Sequence, residues 1–324
     1  MRDGTAGRER DLALSEVVGF VLLLGVVVAA MALWMMYVVP ANGREEEIDQ
    51  MSDVKDRFTD YKIALDSLWI NSPEGADWNQ EGVTLSTSFN LGTGGGNTQV
   101  GGMFLPMLSP VASPAVLAVE DNGDTMTIQY TGSDGTLHTR IYNITVLRYK
   151  SQNYHWIQQD YYYQSGGVFL EQINGSTCRV APPVSFVNTT DPTGTQVTHT
   201  VTVVPIRLNG IGNMGGNGPV RTDTRLKVLE TPTEGEYAMV NVSVSVKDYD
   251  AARMWLDVFN TSRRNGGITD RNWYEVGISK SNVRPGFASM NITGIVDDNT
   301  ADVILKLQPV EYDVTLNSIA SDYS

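Results

Sequence analysis

Residues 13–39 read ALSEVVGFVLLLGVVVAAMALWMMYVV, and the rest of the chain is organised around this stretch. No charged or strongly polar side chain occurs between Val17 and Val39. At about 1.5 Å per residue, a helix over these residues reaches roughly 34 Å, enough to span a hydrocarbon layer of about 30 Å. The sequence therefore predicts one N-terminal membrane helix, followed by a polar, acidic and strand-like remainder.

The residues in front of this apolar run form a recognisable signal. Residues 8–13 read RERDLA and residues 14–19 read LSEVVG. This order resembles the class III, prepilin-type signal of archaeal type IV pilin-like and archaellin-like surface proteins, in which a dedicated peptidase cuts after a small residue, before the hydrophobic helix. The resemblance covers residues 1–40 and implies cleavage between Ala13 and Leu14. The charges before Ala13 depart from the family because they are mixed in sign rather than basic.

The apolar run also admits two other interpretations. A secretory signal peptide has an apolar region of about 7–15 residues and a small-x-small cleavage site. The run in this chain is longer, and residues 39–41 (VPA) match that site poorly. A plain signal anchor fits the length, so this alternative to the pilin-like interpretation stays open.

The resemblance also implies a role for Glu16. Cleavage after Ala13 would place the new α-amine on Leu14, close to the Glu16 carboxylate, and an unpaired charge at the edge of an apolar helix is costly. In a bundle of such helices, the carboxylate of one subunit would neutralise the amine of its neighbour, as the similar acidic position is thought to do in pilin-like families. In a plain anchor, Glu16 would stay solvated at the cytoplasmic interface.

The sequence pattern divides the chain into four parts. Residues 1–13 are a charged leader, residues 14–39 the transmembrane or assembly helix, residues 40–70 a hinge and amphipathic stalk helix, and residues 71–324 an extracytoplasmic head. The helix is expected to bend or break at the hinge around Pro40, because proline lacks a backbone donor and clashes with the preceding turn. The stalk carries an apolar seam at helical spacing: Ile48, Met51, Val54, Phe58, Tyr61, Leu65 and Leu68. This seam can pack on its own head or on a neighbouring subunit.

The head is predicted to be all-β or α+β, with a β-sandwich-like and mostly antiparallel arrangement. Apolar and polar residues alternate in many short runs after residue 73. The turn sequences DNGD (residues 121–124) and GSDG (residues 132–135) lie between such runs, which is typical of hairpins. One helix is expected within Tyr249–Asn260, where the apolar side chains share one face.

Composition limits the partners of the head. The net charge of −14 argues against nucleic acid, because phosphate binding needs a basic surface. Cys178 is the only cysteine, so an intramolecular disulfide is impossible. Alternation along the strands predicts that three of the N-x-Ser/Thr sequons, at Asn143, Asn241 and Asn291, point to solvent. The candidate glycosylation sites are Asn143, Asn174, Asn188, Asn241, Asn260 and Asn291.

Motifs for catalysis or metal binding are weak, so we predict neither an enzyme nor a cofactor. The histidines stand apart in the sequence, at His138, His155 and His199. Residues 210–215 match G-x-G-x-x-G, but glycines and a proline follow where a helix should start, which predicts a loop. Residues 297–299 with Asp302 offer oxygen ligands for calcium, although an acidic turn between strands is the simpler interpretation.

A cluster of aromatic residues is the candidate adhesive surface of the head: Tyr154, Trp156, Tyr161, Tyr162 and Tyr163. Exposed aromatic rings stack on sugars and anchor protein partners. Aromatic residues are also ordinary strand formers, which is the simpler interpretation of the cluster.

Two functions fit these observations. The first is a pilin-like cell-surface structural protein, processed by a prepilin-type peptidase and anchored or assembled with like subunits through its N-terminal helix. The alternative is a signal-anchored monomeric envelope protein whose β-rich head binds carbohydrate or another protein. Both place the chain in the cell membrane with the head outside, and the first adds a surface filament.

Overall fold

The N-terminal helix extends well beyond the apolar run. The computed structural model describes residues 5–72, 83–94, 99–100, 103–104, 109–190, 197–279, 285–294 and 302–318. Helix α1 (Thr5–Leu33) passes into a π-helical segment (Trp34–Val38) and then into helix α2 (Val39–Ile70) without a break. The predicted membrane helix and stalk helix are therefore continuous.

The helix does not break at Pro40, because helical residues lie on both sides of it. Proline lacks an N–H and clashes with the carbonyl group four residues earlier in a regular α-helix. The turn before Pro40 is wider: the N–H of Val39 donates to the carbonyl oxygen of Trp34, five residues back. A π-helical turn of this kind opens the backbone locally, so the helix continues past the proline.

The head is mostly strand (48%). Its helix α3 (Tyr249–Asn265) confirms the helix expected from Tyr249 onwards and is capped by Asp248, whose side chain accepts a hydrogen bond from the N–H of Ala251. The strands of the described residues, in chain order, are β1 (Thr84–Asn90), β2 (Gln99–Val100), β3 (Met103–Phe104), β4 (Ala115–Glu120), β5 (Thr125–Thr131), β6 (Leu137–Asn143), β7 (Val146–Ser151), β8 (Gln159–Gln164), β9 (Gly167–Gln172), β10 (Gly175–Val180), β11 (Val184–Thr190), β12 (Val197–Val203), β13 (Ile206–Asn209), β14 (Gly212–Gly216), β15 (Pro219–Leu229), β16 (Thr233–Tyr237), β17 (Met239–Val246), β18 (Tyr274–Ile278), β19 (Gly286–Thr293), β20 (Val303–Leu307) and β21 (Val310–Ser318).

These strands form several sheets in a propeller-like arrangement, so the β-sandwich that we predicted is wrong. Sheet 1 has the order β1-β15-β21-β13, and sheet 2 has the order β10-β9-β8-β7-β4-β14. Sheet 3 has the order β11-β12-β20-β16, sheet 4 the order β18-β19-β17-β5-β6, and β2 pairs with β3. Pairing is antiparallel except for β12 with β20 and β13 with β21, which confirms the mostly antiparallel, β-rich head.

The two turn sequences that predicted hairpins have different roles. Strands β5 and β6 pair antiparallel across residues 132–135, as predicted. Strands β4 and β5 lie in sheets 2 and 4, so residues 121–124 carry the chain from one sheet to another. Both turns use glycine with positive φ, +74° at Gly123 and +77° at Gly135, where a Cβ would cause strain.

Sheet 2 separates two hydrophobic cores. Along β8, Tyr161 and Tyr163 belong to the core that sheet 2 shares with α2 and sheet 1. Tyr162, between them, belongs to the core shared with α3 and sheets 3 and 4. Because successive strand residues point to opposite faces, both faces of sheet 2 are covered.

Helix α2 packs its apolar seam on the head of its own chain, which is the first of the two packing alternatives given above. The buried seam residues are Met51, Val54, Phe58, Tyr61 and Leu65. The Phe58 ring lies 5.0 Å from the Phe89 ring, and the Tyr61 ring lies 5.5 Å from that of Tyr163. The predicted seam residue Ile48 is 39% exposed, and the neighbouring Glu47 is buried instead.

Candidate functional site: the helix and its junction with the head

The apolar part of the helix has no protein partner among the described residues. Phe20 and Leu22 are 66% and 65% exposed, and residues 17–33 are exposed throughout. The segment Val17–Ile70 contains the one described helix that is long and apolar enough to cross a membrane, and none of its most apolar window is buried. The core helix of a soluble protein would be mostly buried, so by its length, composition and exposure this helix could anchor in a membrane.

Glu47 of α2 forms hydrogen bonds with two loops at one end of the head. Its side chain is 1% exposed and accepts hydrogen bonds from the backbone N–H of Tyr154 (2.6 Å) and of His155 (2.9 and 3.1 Å). The hydroxyl group of Ser113 donates to the same carboxylate. A buried carboxylate is tolerated only when its oxygens are hydrogen-bonded, as they are at this site. Glu47 therefore joins two separate loops of the head to α2.

The neighbouring turn of α2 makes two further contacts with the same loop. The guanidinium carbon of Arg44 lies 4.3 Å from the centre of the Trp156 ring, a cation–π distance. Gly43 is buried against His155, and a Cβ atom at Gly43 would overlap the imidazole ring. The sequence places a glycine and a glutamate four residues apart, on one face of the helix, where the loop approaches closely.

The predicted processing and assembly residues lie near the start of the helix. Ala13, Leu14 and Glu16 belong to α1, and their side chains lie outside the described residues. Cleavage after Ala13 and the charge-neutralising role of Glu16 therefore remain predictions.

Three of the five residues predicted to form an adhesive surface are buried, so that prediction is wrong for them. Tyr161, Tyr162 and Tyr163 are 5%, 1% and 0% exposed, because β8 is an inner strand of a sheet covered on both faces. These three residues are core side chains and cannot contact a partner. Tyr154 is exposed and Trp156 is half-buried, and both lie in the loop that Glu47 holds.

The candidate glycosylation sites differ in accessibility. Asn143 and Asn174 are exposed, at the end of β6 and in the turn between β9 and β10. Asn241 and Asn291 lie directly opposite each other on β17 and β19 and are half-buried, with their side-chain oxygens out of contact with solvent. The predicted solvent-facing orientation is thus confirmed for Asn143 and only partly for these two.

The last two sequons are also half-buried. Asn188 lies in β11, and its N–H donates to the carbonyl oxygen of Gly266. Asn260 lies within α3, and its side-chain oxygen accepts a hydrogen bond from Arg263 at 3.5 Å. Exposure therefore favours Asn143 and Asn174 among the six.

The weak catalytic and metal motifs do not come together in the described part of the chain. There, no three His, Cys, Asp or Glu side chains group as a metal site. His199 is fully buried, and burial lowers its pKa. Asp302 is buried, whereas residues 297–299 lie outside the described residues. Residues 210–215 are not simply a loop as predicted, because Gly212–Gly216 forms β14 and pairs with β4.

A cavity of about 700 Å³ lies between β10, β11 and α3. Cys178 is at its wall, and burial raises the pKa of the thiol to about 11. Because the thiolate is the reactive form, this cysteine is a poor nucleophile at neutral pH. Sequence reasoning did not identify this cavity, since its lining combines residues from distant segments.

No family model, curated protein sequence or solved structure matches this chain. The geometry alone therefore defines its class: a β-rich head fixed to the second half of a long helix that carries an apolar, exposed segment at residues 17–33.

Proposed function

We propose that this chain is a pilin-like cell-surface structural protein, processed by a prepilin-type peptidase and anchored or assembled through α1. The proposal rests on the difference in burial between the two parts of the helix. The seam of α2 is filled by its own head, whereas the apolar surface of α1 is exposed on all sides. Lipid or the α1 helices of like subunits would cover that surface.

Small residues on α1 support close helix packing. Gly25 and Ala29 form a small-xxx-small pair in the middle of the apolar run. No described atom lies within 4 Å of a Cβ built at Gly25, so another helix can approach there. In an apolar medium, such positions let helix backbones come close together.

N-terminal sequencing of the mature protein tests processing. The pilin-like proposal requires a mature chain that begins at Leu14. A mature chain that retains Met1 or begins at Arg2 would contradict it and support the plain signal anchor.

The variant Glu16→Gln tests assembly, because it keeps the size of the side chain and removes the charge. It should be processed and inserted normally, yet be lost from the sheared, high-molecular-weight surface fraction. Glu45→Gln is the matched control, since Glu45 is exposed on α2 outside the apolar run. Assembly through Glu16 is wrong if the variant reaches that fraction at the wild-type level, or if the wild type never enters it.

Protease added to intact cells tests the orientation of the head. If the head is extracytoplasmic, the protease should cleave the region that follows Trp69 without lysis of the cells. Cleavage that needs lysed cells would place the head inside and contradict the proposal.

A further inference from the structure

A set of exposed apolar side chains lies beside the helix at one end of the head. We call this set the rim, and it consists of Val111, Tyr154, Trp156 and Ile157. Val111, Tyr154 and Ile157 are 71%, 61% and 49% exposed, and Trp156 is half-buried. Large exposed apolar side chains grouped in this way mark a contact surface.

The rim belongs to one end of sheet 2. Strand β4 begins and β7 ends there, since Ala115 pairs with Ser151. The N–H of Gln152 donates to the carbonyl oxygen of Pro114 at 3.0 Å, which joins the segment before β4 to the β7–β8 loop. Both rim segments are therefore held by the sheet, and Glu47 ties both of them to α2.

The contacts with α2 place the rim close to the end of the apolar run. The rim loop touches the helix at Gly43, Arg44 and Glu47. At about 1.5 Å per residue, Gly43 lies about 6 Å beyond Val39. The headgroup layer on each side of a bilayer is about 5–7 Å deep, so this level of the helix falls at its outer part. Val38, Val39 and Pro40 are half-buried and Gly43 is buried, whereas residues 17–33 are exposed.

The remainder of the head extends away from that level. Tyr61, fourteen residues after Glu47, contacts Tyr163, which lies toward the opposite end of sheet 2. The direction along α2 away from the apolar run is therefore also the direction along sheet 2 away from the rim.

We propose that the rim docks into the headgroup layer of the same bilayer that α1 crosses, and so fixes the head upright against the membrane. This inference rests on the proposed membrane anchoring. Tyrosine and tryptophan rings favour the interface because they combine apolar area with a polar edge. Arg44, stacked on Trp156, supplies a cation at the level of the lipid phosphates, and lipid would cover the exposed faces of Tyr154 and Ile157.

Depth measurements on the full chain in vesicles test the proposal. The background is Cys178→Ser, which removes the only cysteine. Single cysteines introduced by Tyr154→Cys or Ile157→Cys carry an environment-sensitive fluorophore, and the vesicles are phosphatidylcholine with a fraction of headgroup-nitroxide phosphatidylcholine. Ile211→Cys is the matched control: it is 96% exposed and immediately precedes β14, whose first residue pairs with Val119 near the far end of β4, about 16 Å from the rim end.

We expect nitroxide quenching at positions 154 and 157 to exceed that at position 211 by about threefold or more, because the collisional effect is confined to the headgroup layer. Equal quenching at rim and control in chains that co-float with the vesicles would overturn the rim proposal and leave anchoring intact. Chains that fail to co-float would overturn both. A fluorescence shift that needs high protein density and shows no nitroxide quenching would identify a second copy as the occupant and overturn the lipid assignment.

Discussion

The two halves of the long N-terminal helix share one backbone and differ in everything that surrounds them. Residues 17–33 of α1 expose apolar side chains around the whole circumference of the helix, whereas α2 buries a single stripe against the head. A helix that is apolar all round needs an apolar medium, and a helix with one apolar stripe needs one protein surface. The helix is continuous through Pro40, so an unbroken helical segment joins the apolar run to the part of α2 that packs on the head.

This contrast predicts that the same substitution should have different effects at docked and at exposed positions of the helix. The chain offers three matched pairs, two phenylalanines, two glutamates and two tyrosines, with one residue of each pair buried against the head and the other exposed. The exposed phenylalanine lies in α1, the exposed tyrosine in the π-helical segment, and the exposed glutamate in α2 itself. The free energy of unfolding of the head, measured with denaturant in detergent micelles, reports on the docked half alone.

The largest difference is expected for Phe58→Ala and Phe20→Ala. Phe58 is 0% exposed and packs on Phe89, so truncation leaves a cavity and should cost the head about 3–5 kcal/mol. Phe20 is 66% exposed, and its truncation should change that free energy by less than about 0.5 kcal/mol. Similar losses for the two variants would mean that α1 also packs on the head.

Glu47→Gln and Glu45→Gln should give the next largest difference. The Glu47 carboxylate accepts hydrogen bonds from two backbone N–H groups and one hydroxyl group, and the amide of glutamine offers only one acceptor oxygen. The loss should be about 1.5–3 kcal/mol, since hydrogen bonds to a buried charged group are involved. Glu45 is exposed one turn from the same loop, so Glu45→Gln should be nearly neutral. A neutral result for Glu47→Gln would show that the loop is held without the carboxylate.

The docked half also shows what the sequence predicts and what it leaves open. The seam of α2 was predictable from its period, but its first position was assigned to Ile48 rather than Glu47. Counting back from Phe58 and Val54 through Met51 in steps of four, three and four leads to Glu47. A carboxylate in the line of a seam was therefore a readable signal of a buried polar contact.

The head was less predictable because its strand order depends on long-range contacts. Alternating runs predicted a β-rich head, and residues 132–135 form the predicted hairpin turn. The similar turn at residues 121–124 connects different sheets, which no local pattern reveals. Tyr161, Tyr162 and Tyr163 are consecutive in sequence yet all buried. Such a run is typical of a strand covered on both faces, but only the assembled sheets show those two covers.

The smallest difference in the series is expected for Tyr61→Phe and Tyr37→Phe, which each remove one hydroxyl group. The Tyr61 hydroxyl is hydrogen-bonded to Thr224 at 2.8 Å in a buried site, and burial raises the pKa of Tyr61 above its ordinary value. Removing it leaves the buried Thr224 hydroxyl without this partner, which should cost the head about 0.5–1.5 kcal/mol. Tyr37 is 64% exposed near the end of the apolar run, so Tyr37→Phe should leave the unfolding free energy of the head unchanged. The difference between the two losses of unfolding free energy reports on the hydroxyl group alone, because both variants keep the aromatic ring. An equal loss of unfolding free energy for Tyr37→Phe and Tyr61→Phe would mean that the C-terminal end of the apolar run is also docked on the head. The boundary between the exposed and the docked parts of the helix would then lie before Tyr37.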